Sequence, residues 1–133
     1  MDCIFCKIIK GEIPNYKIYE DQYTYAFLDI AKDCYGHTLV IPKEHCTNLL
    51  DCDEKLNKYV ISTVQKISQH YVKNCGFDGV NIFNCNGIDA QQSVFHYHIH
   101  IIPRRKNDGI DIWPLKGPKD INLQEVCNNL HIV

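Results

Sequence analysis

The stretch Phe95-His96-Tyr97-His98-Ile99-His100-Ile101-Ile102 alternates histidine with apolar residues. Successive side chains on a β-strand point to opposite faces, so a strand over 95–102 sets His96, His98 and His100 on one side and Phe95, Tyr97, Ile99 and Ile101 on the other. The apolar side predicts a face held against a core. A solvent-facing strand has no need of three histidines, because Lys, Thr or Glu serve equally well there. Histidine can be a neutral nucleophile, a proton donor or a metal ligand near neutral pH, so the row is expected to be an active site. On an extended chain the outer rings stand about 13 Å apart and cannot meet at one ion. His96 and His100 are therefore expected to do different things.

Working outward, residues 79–84 read as a strand, joined to the row by the polar loop Asn86-Gly87-Ile88-Asp89-Ala90-Gln91-Gln92. Residues 53–73 place Leu56, Tyr59, Val60, Val64, Ile67 and Tyr71 at helical spacing, a stripe fit to cover a sheet. Asp51 and Glu54 predict a capping box at its start, and Gly76 lies beyond its end. Strands over 17–20 and 23–28 flank Asp21-Gln22 as a hairpin, and a strand over 37–41 is expected to stop at Pro42, which cannot donate to a ladder. After Trp113-Pro114 a short helix is expected around Leu123 and Val126. The sum is an α+β fold: a mostly antiparallel five-stranded sheet, one long helix and short terminal helices.

At 133 residues, with no repeat or linker-like tract, the expectation is one domain over 1–133, its core in 1–105 and an extension over 106–133. No apolar run is long enough to span a membrane, and the opening Met1-Asp2-Cys3-Ile4-Phe5-Cys6-Lys7 does not read as a secretion signal, so a cytoplasmic protein is expected. In a reducing compartment eight cysteines suggest free thiols or metal ligands, most of them small core residues. A net charge of −2 gives no basic field for nucleic acid. Cys3-x-x-Cys6 reads equally as a redox dithiol or as half of a zinc site, and zinc needs two more ligands.

The row and the two apolar residues after it, His96 to Ile102, resemble the signature of the histidine-triad family. The resemblance extends to Cys3-Ile4-Phe5-Cys6-Lys7-Ile8-Ile9, Ala26-Phe27-Leu28-Asp29-Ile30, Gly36-His37-Thr38-Leu39-Val40-Ile41-Pro42-Lys43 and Gln92-Ser93-Val94-Phe95. It implies a homodimer that binds a purine nucleotide such as AMP or GMP and hydrolyses a bond at the α-phosphate, typically a phosphoramidate. By that resemblance His98 is the nucleophile and forms a nucleotidyl intermediate, while His100 and Ser93 act on the phosphate. Asp29 would hold the ribose, and Phe5, Phe27, Ile30 and Leu39 the base. The family's phosphate-contacting asparagine falls on Cys85, between Asn84 and Asn86, with Asn86 a candidate replacement, and a loop glycine falls on Gln91. In zinc-keeping branches the remaining ligands match His45 and His96, which implies a structural Cys3, Cys6, His45, His96 site. Two other readings fit the same chemistry: a dinucleoside polyphosphate hydrolase or nucleotidyl transferase, and a nucleotide-binding regulator with incidental hydrolysis. His37 stands at a strand start, either near the site or as a satisfied buried ring; His70 and His131 are expected at the surface.

Overall fold

Asp21 accepts from the backbone N–H groups of Tyr23 and Thr24 at 2.9 and 2.8 Å, an Asx-turn that reverses the chain between its first two strands. That hairpin, β1 (Lys17–Glu20) and β2 (Thr24–Leu28), follows a short helix, α1 (Ile4–Ile9). Then come β3 (Thr38–Pro42), α2 (Glu54–Asn74), β4 (Gly79–Phe83), β5 (Ile99–Arg104) and α3 (Leu123–Leu130). The computed structural model describes residues 2–113 and 115–133, so Pro114 of the expected Trp113-Pro114 boundary lies outside the described residues. Five strands form one sheet in the order β1-β2-β3-β5-β4, and every neighbouring pair is antiparallel. Among the described residues no helix is long and apolar enough to cross a membrane.

Strands β2 and β3 are covered on both sides, which their apolar residues require. Ala26 and Val40 point toward α2, where they meet Val60, Val64, Ile67 and Tyr71 together with Tyr97, Ile99 and Ile101. Tyr25, Phe27, Leu39 and Ile41 point the other way, onto Cys3, Phe5 and Ile8. Each large side chain fully buried in this way stabilises the fold by roughly 1.5–3 kcal/mol. Tyr59, expected in the α2 stripe, instead stacks on Tyr23 with ring centroids 4.0 Å apart.

Three expectations need correction. The α2 cap is Asp53, whose carboxylate accepts from Lys55 N and Leu56 N; Asp51 closes the preceding loop by accepting from Thr47 N and Asn48 N. The last strand starts at Ile99, four residues later than the row suggests. In the β3–β5 register, Val40 faces Ile99, so Pro42 would face Tyr97, and proline has no N–H to continue the ladder. Tyr97 N donates to Cys46 O at 2.8 Å instead, and Phe95 is turned outward, 44% exposed. Finally, only Cys3 among the cysteines is buried; Cys75 and Cys127 are exposed and the others half-buried, all of them as free thiols.

Candidate active site and metal cluster

His98 precedes β5 by one residue and is 5% exposed. Its Nδ1 lies 2.7 Å from the carbonyl oxygen of His96, an acceptor only, so Nδ1–H donates and Nε2 keeps its lone pair. Burial lowers the His98 pKa, which favours the neutral ring. The backbone is held as well, because Asn84 Nδ2 donates to His98 O at 2.9 Å. Phe5 sets its ring perpendicular to the His98 ring with centroids 5.2 Å apart, and the His100 ring packs against that of His98 at 4.9 Å.

His100 lies within β5, opposite Leu39 of β3 and Phe83 of β4. Its Nδ1 is 2.8 Å from Nε2 of His37, and His37 Nδ1 is 2.7 Å from Asp33 Oδ1. Asp29 Oδ2 approaches His37 Nε2 at 3.7 Å. Burial pushes the His100 pKa down to about 4, with the neighbouring His98 and His37 rings adding to the effect. Of the two readings for His37, the structure places it in contact with the row, though it is also a buried ring with partners on both nitrogens.

His96 is fully buried, and its Nε2–H donates to Pro42 O at 2.8 Å. Its Nδ1 is thereby a bare acceptor. That nitrogen lies 3.1 Å from His45 Nδ1, 3.3 Å from Cys3 Sγ and 3.6 Å from Cys6 Sγ, and Cys6 Sγ lies 3.5 Å from His45 Nδ1. All four ligand atoms fall within 4.8 Å of one another. A tetrahedron with zinc–nitrogen and zinc–sulfur bonds of ordinary length has edges of about 3.3–3.8 Å. The donor set therefore fits a tetrahedral zinc ion, with the Pro42 carbonyl fixing the His96 tautomer from behind. The Cys-x-x-Cys spacing arises because Cys3 caps α1, its sulfur accepting from Cys6 N at 3.4 Å.

The remaining candidates are distributed unevenly. Phe5, Phe27 and Leu39 pack together in the buried cluster on the α1 side, with Phe5 and Phe27 edge-to-face at 5.4 Å, whereas Ile30 is 77% exposed. Asp29 accepts from Ala31 N at 2.8 Å and, with His37, lines a cavity of about 680 Å³. Ser93 is exposed, on a second cavity of about 500 Å³ shared with Cys3 and His45, and has no hydrogen-bond partner among the described residues. Asn86 accepts from Leu49 N and donates to Asn84, which places it one step behind the His98 backbone. Gln91 takes a left-handed backbone, φ 69°, where glycine would meet no Cβ penalty.

Two residues escaped the sequence. Gln92, 5% exposed, accepts from Gly87 N and Asn48 Nδ2 and donates to Thr47 O and Val94 O, tying together the loops that carry His45 and His96. A glutamine beside a polar loop carries no pattern that announces burial. Asp33 reads from sequence as one more loop carboxylate; only the chain reversal after β2 brings it to His37.

The HIT domain profile matches residues 10–107. A solved structure of a HIT family member from Bacillus subtilis superposes with a TM-score of 0.85 at 43% identity, covering 97% of this chain and 94% of that one. The adenosine 5'-monophosphoramidase HNT1 of Saccharomyces cerevisiae is 41% identical over 114 residues, 84% of this chain and 70% of its own. A Zn-bound histidine triad family protein from Mycobacterium smegmatis is similar at a TM-score of 0.78 and 38% identity, over 84% of this chain and 81% of that one. With the profile spanning most of its length and the histidine row leading into the paired strand β5, the chain belongs to the HIT family.

Proposed function

We propose that this HIT enzyme hydrolyses the phosphorus–nitrogen bond of a purine nucleoside 5'-phosphoramidate through a covalent intermediate on His98. The observation that carries the reading is the single hydrogen bond from His98 Nδ1 to the His96 carbonyl, which leaves a neutral ring with an available Nε2 lone pair. That nitrogen attacks the α-phosphorus, the bond to the leaving amine breaks, and the amine takes a proton from His100; water then cleaves the histidine–phosphorus bond. Asp29 holds the ribose hydroxyls, the Phe5, Phe27 and Leu39 side chains wall the base with Ile30 at their rim, and Ser93 and Asn86 serve the phosphate loop. Cys3, Cys6, His45 and His96 would hold zinc, whose four protein ligands leave no open position and give it a structural role.

The test is release of AMP from adenosine 5'-phosphoramidate by the wild type and by His98→Ala, both checked for folding. The variant should lose about a thousandfold or more in kcat/KM, and quenched wild-type reactions should contain an acid-labile nucleotidyl-histidine. Equal rates would remove His98 from the mechanism. The same reading includes a homodimer: β4 is an edge strand whose Ile82 and Phe83 are 45% and 38% exposed. Sedimentation should find two copies, and a monomer at micromolar concentration would refute that part.

A further inference from the structure

A carboxylate and two imidazoles, Asp33, His37 and His100, stand in series. Asp33 Oδ1 is an acceptor only, so the 2.7 Å contact fixes the proton of a neutral His37 on Nδ1. His37 Nε2 is then a lone pair, and the 2.8 Å contact with His100 requires the His100 proton on Nδ1. His100 Nε2 is in turn left bare. The order of protons along the whole series follows from its outermost member, which lies on the loop between β2 and β3 and is itself largely exposed.

We propose that Asp33 is a positioning residue that sets the proton polarity of the Asp33, His37, His100 series, and through it whether His100 Nε2 accepts or donates a proton. The inference rests on the hydrolase reading only for its use in catalysis. When His100 Nε2 takes a proton from solvent, His100 Nδ1 passes its own to His37 Nε2: at His100 one N–H bond forms and one breaks, while His37 keeps its Nδ1–H, gains an Nε2–H and becomes the imidazolium. His100 is again neutral, now with an Nε2–H to give to a leaving group. The positive charge rests on His37, 2.7 Å from Asp33 and 3.7 Å from Asp29. The reverse shift returns His100 Nε2 to a base that can receive a proton from the attacking water.

Without Asp33 the preference changes. Among the described residues the only other carboxylate at His37 is Asp29, and it faces Nε2. A His37 proton drawn to that nitrogen would point at Asp29 or at His100 Nδ1, and His100 would hold its proton on Nε2 even at rest. The other ionisable groups facing the pair are the His98 ring, 4.9 Å from His100, and the Cys34 thiol, which gathers with Asp33 and His37. Neither changes the order of protons, since His98 Nδ1 is committed to the His96 carbonyl. Cys34 is held in the thiol form because burial, and then the Asp33 charge, raise its pKa.

The experiment is ¹⁵N NMR of the histidine rings in wild type, Asp33→Asn and Asp33→Ala, with a thermal melt of each to confirm the fold. The wild type should show His37 and His100 protonated on Nδ1. Asp33→Ala should move the His100 proton to Nε2 and lower kcat about tenfold with little change in KM. It should also change the pH profile of kcat. Asp33→Asn, which keeps an acceptor but not the charge, should fall between the two, and Asp33→Glu should restore the wild-type pattern. Unchanged ring protonation in Asp33→Ala, or wild-type rings protonated on Nε2, would overturn the inference. Proton relocation in a protein that does not hydrolyse the phosphoramidate would support the role of Asp33 and overturn only the hydrolase reading.

Discussion

Each histidine of the row takes its chemistry from whatever holds its second nitrogen. A carbonyl behind His98 frees Nε2, another behind His96 frees Nδ1, and a histidine behind His100 makes its state depend on a neighbour. His100 also makes stability depend on pH. Burial holds the folded ring neutral down to about pH 4, while in the unfolded chain it takes a proton near the ordinary histidine value of 6.5. Between those values the unfolded state binds more protons, so stability falls as pH falls through this window, at no more than about 1.4 kcal/mol per pH unit for one proton, and levels off below it. In urea titrations at pH 7 and pH 4.5, His100→Gln should lose less stability than the wild type; identical losses would remove His100 as the source. The row was legible because three histidines at alternate positions have few structural uses. Asp33 was not, since no local pattern distinguishes a loop carboxylate that will meet a ring from one that will meet water.

Strand, helix and hairpin were largely readable from period and turn residues, but the start of β5 was not. Its limit is set by a missing N–H on Pro42, a residue 54 positions from its contact with His96 and on a different strand. The residues just before β5 are consequently held by loops, and those loops are joined by Gln92. Replacing Gln92 with Ala leaves backbone partners on three segments without their bonds. The expected loss is about 2–3 kcal/mol in chemical unfolding, accompanied by faster metal release; a loss under half a kilocalorie would show that water substitutes for the amide. Asp53→Ala should cost about 1 kcal/mol through the α2 cap, with Asp51→Ala acting on the loop before it.

For the molecule as a whole, the four-ligand cluster joins the amino-terminal helix, the segment after β3 and the chain leading into β5. A metal bound there stabilises the native state alone, by about 4 kcal/mol at a free concentration a thousandfold above its dissociation constant. Incubation with a chelator should therefore lower the melting temperature, zinc should restore it, and Cys6→Ser should respond to neither. A chelator-insensitive wild type containing no metal by elemental analysis would refute a zinc site. The contact between Cys3 and His96 spans 93 positions. At a synthesis rate of about 5–20 residues per second, the first thiols emerge roughly 5–20 s ahead of the last ligand. During that interval every newly made copy carries two free thiols that cannot yet be enclosed, so exposure to oxidants during translation is greatest at the end of the chain made first.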